Sequence, residues 1–238
     1  MTSVTEPRDV PILFSGPMVR AILAGRKVQT RRILNPQPGV GQTARLYQTA
    51  EIDWQICDAR GAPVSSHKLR YRVGDRLWVR ETCRAEECKD TLVDGVRYFA
   101  DDAWIPIQNT KEAAERWVEL NYYNERRTVR TGNIVPSIHM PRWASRAALE
   151  VTAIRIERLQ DITEEDAKAE GIYWSDTFEG WTSGAGEDET CDFHQRLPVL
   201  SFAKLWMSIN GAGSWGANPW CCAIQFRTIP SKIITERS

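Results

Sequence analysis

The run Ala147-Ala-Leu-Glu-Val-Thr-Ala-Ile-Arg-Ile-Glu-Arg-Leu159 alternates residue by residue, with Leu149, Val151 and Ala153 on one face and Glu150, Thr152, Ile154 and Ile156 on the other. The second face is mixed, so the run reads as a strand partly buried on both sides. Directly after it, Ile162-Thr-Glu-Glu-Asp-Ala-Lys-Ala-Glu-Gly171 predicts a compact helix. Thr163 serves as N-cap, acids fill the first turn where the helix dipole favours them, and Gly171 follows the last turn. Working outward, the Val73-Gly-Asp75 turn leads into Arg76-Leu-Trp-Val-Arg-Glu81, a second alternating strand, with Val96–Ala100 expected to pair near it. Trp220–Ile229 gives a final strand, and Pro11–Phe14 and Lys27–Leu34 give shorter ones. Helices are expected over 17–24, with Met18, Val19, Ile22 and Leu23 inward, over Lys111–Asn121, and over Pro198–Ile209 with Phe202, Leu205, Trp206 and Ile209 inward. Short, mainly antiparallel strands with a few interspersed helices make this an α+β chain built on a small curved sheet or barrel, without the repeated βαβ spacing of a doubly wound sheet.

Composition bounds the class. The 238 residues are 42% hydrophobic and 26% charged, near globular averages, which excludes a fibre or a wholly disordered chain. No apolar stretch approaches the roughly 18 residues of a membrane helix, and Met1–Val10 lacks the pattern of a signal peptide, so a cytosolic protein without a membrane partner is expected. Net charge is zero, but it is unevenly placed. Residues 1–50 carry seven Lys and Arg against Glu6 and Asp9, a second basic stretch runs through Arg126, Arg127, Arg130, Arg142 and Arg146, and Asp161–Asp192 holds eleven acids and one lysine. That distribution fits either mutually neutralising faces or a basic cleft for phosphates.

The segment Ile22-Leu-Ala-Gly-Arg-Lys-Val-Gln-Thr-Arg-Arg32 resembles the G-x-K-x-x-T-x-R signature of ASCH domains, relatives of the PUA fold. The Val73-Gly-Asp75 turn, the Leu149–Ile156 strand, the Ile162–Gly171 helix and the terminal strand through Ile224-Gln-Phe226 agree in order with that family. Phage and prophage proteins of this type carry stretches similar to His139–Arg146 and Ser208–Trp220. The resemblance implies a single PUA-like β-barrel domain over 1–238, with flanking short helices and long loop insertions near 38–70, 84–137 and 174–198. It also implies RNA or a modified nucleoside as partner. Some small members are amidohydrolases acting on N4-acetylcytidine and others are reported ribonucleases. The amidohydrolase residues, a lysine, a threonine and a later glutamate, fall by motif position on Lys27, Thr30 and Glu170. Arg32 keeps the signature's final cation, with Arg31 an extra one beside it.

Amide hydrolysis needs a nucleophile, a base and a stabiliser for the oxyanion, roles that Thr30, Lys27 and Arg32 match by chemistry. On an ideal strand Lys27 and Thr30 lie on opposite faces, so they converge only where the chain bends. Glu170 in a helix's last turn is disfavoured by the dipole, which points to a nearby cation, Lys27 or Arg32. Lys27 itself reads as a surface residue of little weight in stability. The ligand-binding set expected around this centre is Arg26, Arg31, Arg32, Arg142, Trp143 and Arg146, with Trp215 and Trp220 as further stacking candidates. A noncatalytic RNA-binding module and an accessory factor binding a protein partner are the alternatives. No cofactor is expected apart from zinc, for which Cys83, Cys88, Cys191 and His194 supply a tetrahedral ligand set on two insertions.

Overall fold

A computed structural model describes residues 7–47, 49, 53–123, 133–184 and 195–230. Along the chain the elements are β1 (Asp9–Leu13), α1 (Gly16–Leu23), β2 (Gln29–Ile33), β3 (Thr43–Leu46), β4 (Trp54–Cys57), β5 (Pro63–His67), β6 (Arg76–Arg80) and β7 (Cys83–Cys88). There follow β8 (Val93–Tyr98), β9 (Trp104–Pro106), α2 (Lys111–Asn121), β10 (Ile134–Val135), β11 (Ala148–Arg158), α3 (Glu164–Ala169), β12 (Tyr173–Ser175), β13 (Gly180–Thr182), α4 (Pro198–Asn210) and β14 (Trp220–Ile229). The result is a mixed α+β chain, mostly strands in several open sheets with few helices, and no sheet closes into a barrel among the described residues. Among those residues no helix is long and apolar enough to cross a membrane.

The chain divides into two compact units. The first gathers residues 1–8, 24–76 and 150–227. In it β11, β14 and β2 lie in that order, with β2 antiparallel to β14 in the register Thr30↔Ile224 and Arg31↔Ala223. Ile224 and Ala223 are fully buried, so β2 is hydrogen-bonded edge to edge to a strand buried at that point. The helix α3 forms where the sequence places it: Thr163 Oγ1 accepts the Asp166 N–H at 3.1 Å, and Gly171 leaves the last turn at φ 103°. Region 38–70, expected as a loop-rich insertion, instead builds a three-stranded antiparallel sheet, β3-β4-β5. Its strands are only four or five residues long and its register shifts between Ile56 and Cys57, which hides the alternation. Likewise 174–198, read as an insertion, begins with a β12–β13 hairpin. On α4 the inward residues are Phe202, Leu205 and Trp206 as expected, while Ile209 is exposed.

The second unit comprises 9–23, 77–149 and 228–238. Here Val96–Tyr98 belongs to β8, which pairs with β7, the strand that follows β6, and with β9, while Phe99 and Ala100 lie in the turn after it. Within the region 84–137, the described residues build a four-stranded sheet with α2 packed on it. The sheet β10-β7-β8-β9 buries Cys83, Ala85, Val96 and Tyr98, with Leu120 of α2 and Met140 packed on them. On α1, Val19, Ala21 and Ile22 are buried, whereas Leu23, expected inward, is exposed.

Gly95 is required by close approach. A Cβ there would lie 2.3–2.5 Å from the indole ring of Trp104, whose Nε1 donates to Glu86 O at 3.0 Å. Gly95→Ala is expected to displace that ring and cost about 1–3 kcal/mol, the usual range for overpacking, read by urea unfolding. An unchanged midpoint would show that the indole moves freely.

Candidate functional site

Two backbone hydrogen bonds pin the start of β2. The Val28 N–H donates to Ala169 O at 2.9 Å, and the Phe226 N–H donates to Val28 O at 2.9 Å. The end of α3 is thereby fixed against the Gly25–Arg32 segment, which places Lys27 and Glu170 side by side although 143 residues separate them. Lys27 Nζ donates to Glu170 Oε2 at 2.9 Å and to Glu170 O at 2.8 Å, with side-chain exposures of 0% and 3%. Glu170 thus has the cation that its place at the helix end required. A second one is Arg31, whose Nη1 donates to Glu170 Oε1 at 3.1 Å.

Arg31 was expected as an extra cation of the ligand-binding set, with Lys27 or Arg32 the partner of Glu170; its guanidinium is instead fully buried on carboxylates. Strand alternation explains its role: within β2 Gln29 and Arg31 share one side and Thr30 and Arg32 the other, and Lys27, in the segment before the strand, meets Glu170 alongside Arg31. From Arg31, Nη2 reaches Glu157 and Asp166, and Arg155 bridges the same two carboxylates from β11. Lys27, Arg31 and Arg155 therefore face Glu157, Asp166 and Glu170, three cations on three anions in a largely sealed cluster. Sequence reasoning missed Glu157, Asp166 and Arg155. Two signals were available: Asp166 stands one turn before Glu170, and Arg155 and Glu157 share a face of β11.

Lys27 is buried, contrary to its reading as a surface residue. Burial pushes its ammonium below the ordinary lysine range; Glu170 opposes the shift, and Arg32 and Arg31 add to it. Arg32 and Lys27 are thus electrostatic neighbours, so the Arg32 face of β2 is not remote from Lys27 despite the alternation. Arg32 also feels Tyr71, Glu170 and Arg70. Thr30 is 3% exposed and lies between these groups in sequence, and no hydrogen bond among the described residues engages its hydroxyl. A lysine whose charged form is disfavoured is suited to take a proton, and an unengaged hydroxyl is suited to give one.

The remaining candidates are placed as follows. Arg26 stacks over the Tyr173 ring at 4.6 Å. In the second unit Arg142 pairs with Asp9 at 2.5 Å. Arg146, only 6% exposed, grips both oxygens of the buried Glu81 at 2.8 Å, pairs with Asp101, and lies 4.2 Å over the Tyr98 ring. Trp143 packs against the Cys83–Tyr98 core. In the first unit Trp215 meets Phe202 edge to face and Trp220 lies under Arg158, both packing roles. Cys83 and Cys88 stand at opposite ends of β7, about 16 Å apart by strand rise, too far to share one zinc. Burial pushes the Cys83 thiol up to about 12, whereas Cys88 is lowered, chiefly by its hydrogen bond with Thr91. Cys191 and His194, like Arg126, Arg127 and Arg130, lie outside the described residues, and among the described ones no cluster of three metal-ligating side chains forms. Comparison with family models, curated proteins and solved structures finds no match to this chain.

Proposed function

We propose that this chain is an ASCH-type protein of PUA-like ancestry that binds a modified nucleoside at Lys27, Thr30, Arg32 and Glu170 and hydrolyses an N4-acyl amide on cytidine. The observation that carries this reading is the fully buried Lys27 ammonium on the Glu170 carboxylate, three residues before a threonine with an unengaged hydroxyl. Burying an ammonium costs several kcal/mol even when it is paired, and such groups concentrate where proton transfer is needed. In the proposed reaction Lys27 acts from its neutral amine form, which burial favours: Thr30 Oγ1 attacks the acyl carbon while that amine takes its proton, and Arg32 steadies the oxyanion. The C–N bond then breaks as Lys27 returns the proton to the cytosine amine. Water hydrolyses the threonyl ester, so amide and water become cytidine and a carboxylic acid.

A nucleoside is favoured over an RNA strand because, among the described residues, several cations of the basic stretches are engaged with carboxylates. Arg31 and Arg155 sit on Glu157 and Asp166, Arg146 on Glu81 and Asp101, and Arg142 on Asp9. Binding of N4-acetylcytidine measured by calorimetry should change little between low and high salt. Binding of a single-stranded RNA that is tighter than the nucleoside and weakens with a log–log slope of about −0.7 per phosphate neutralised would replace this reading with the RNA-binding one.

A further inference from the structure

Glu170 has two carboxylate oxygens and they go to different cations, Oε2 to Lys27 and Oε1 to Arg31. A carboxylate held by one oxygen alone rotates about its last torsion, while one held by both has a fixed plane. Arg31 is itself immobilised, with a fully buried side chain whose Nη2 is shared by Glu157 and Asp166. Those two carboxylates are in turn tied by Arg155, through Nε to Glu157 and Nη2 to Asp166. A rigid frame of two arginines and two acids thus ends on the far oxygen of the group that holds Lys27.

We infer that Arg31 is a positioning residue for Lys27: it fixes the Glu170 carboxylate from behind, and the Glu157–Asp166 pair neutralises it so that Lys27 is not left facing an uncompensated arginine. The inference deepens the hydrolase reading and rests on it for its catalytic meaning, but the arrangement has consequences that do not depend on turnover. The charged and titratable groups facing Lys27 are Glu170 from α3 and Arg31 and Arg32 from β2, with Arg70 and Tyr71 beside Arg32. Cys221 of β14 faces Arg31 and Glu170, but burial pushes its thiol up to about 12, so it is uncharged at neutral pH. Removing the charge of Arg31 takes away repulsion and leaves the whole carboxylate to Lys27. Removing the charge of Asp166 does the reverse, because Arg31 is then less neutralised.

The test is a pH titration of isotope-labelled lysine side chains by NMR, with Lys27 identified from its absence in Lys27→Met. In Arg31→Gln the Lys27 titration should move to higher pH, and in Asp166→Asn, which is isosteric and keeps the Thr163 cap through its backbone, to lower pH. In the same variants kcat for N4-acetylcytidine should fall, by roughly 10²-fold in Arg31→Gln with KM little changed, since misplacing a base costs about that much. The acid limb of the rate profile, where Lys27 must lose its proton to act as base, should follow the NMR titration. Should Arg31→Gln fail to fold, the Asp166→Asn shift decides alone. A Lys27 titration that stays put in the folded variants, or that moves the same way in both, overturns the inference and leaves Arg31 a packing residue. If the wild type releases no acetate, the hydrolase reading falls while the titration still decides what Arg31 does to Lys27.

Discussion

Lys27→Met is expected to lower hydrolysis of N4-acetylcytidine by roughly 10²–10⁴-fold, the usual contribution of a positioned base, while the chain still folds. Methionine is the informative replacement because Lys27 is buried, so alanine would leave a cavity and confuse lost chemistry with lost packing. The carboxylate left behind is not orphaned, since Arg31 keeps hold of Oε1. Stability has a definite sign. Folding lowers the affinity of Lys27 for its proton, so the lysine's contribution is unfavourable at neutral pH and is relieved only as pH rises toward the ordinary lysine value of about 10.4. The melting temperature of Lys27→Met at neutral pH should therefore equal or exceed that of the wild type, with the difference shrinking as pH rises. Unchanged turnover in a folded Lys27→Met protein would remove Lys27 from the chemistry.

Arg146→Met should be the most damaging single change to stability, at about 3–5 kcal/mol, the range for stripping one partner from a buried ion pair. Glu81 and Arg146 are 2% and 6% exposed and share two hydrogen bonds of 2.8 Å, so removing the guanidinium strands a carboxylate with no solvent to receive it. The cation–π contact with Tyr98 and the pair with Asp101 are lost as well. The double variant Glu81→Gln/Arg146→Met removes the stranded charge and should recover most of the loss, which separates the charge effect from the packing effect. Urea unfolding of the three proteins decides it. A loss below about 1 kcal/mol in Arg146→Met, the scale of an exposed pair, would mean that Glu81 reaches water.

The contrast between Arg146 and Lys27 shows what the sequence can and cannot convey. Local signals were readable wherever one segment carries its own instructions: Thr163 with Asp166 and Gly171 defines α3, alternation defines β6 and β11, and α2 lies where its periodicity puts it. The 38–70 and 84–137 regions were not readable as sheets. Their strands are short, their polar residues are fixed by partners far along the chain, and Gly95 looks like a breaker when it is in fact the seat of Trp104. At the site, a dipole argument called for a cation beside Glu170, Lys27 or Arg32, and the resemblance to ASCH domains grouped Glu170 with Lys27. The buried state of Lys27 did not, because lysine is almost never sealed from water without a partner that only the fold supplies. Arg31 looked redundant beside Arg32 for the same reason: which face of β2 meets α3 is decided by the Val28–Ala169 hydrogen bond, a contact absent from any local pattern.

Acetate release from N4-acetylcytidine by the wild-type protein tests the central claim most directly. Cytidine and acetate should appear in equal amounts, with many turnovers per protein molecule and with loss of activity in both Lys27→Met and Thr30→Val. A wild-type protein that binds the nucleoside yet yields neither product, or whose turnover survives Thr30→Val, would contradict the account.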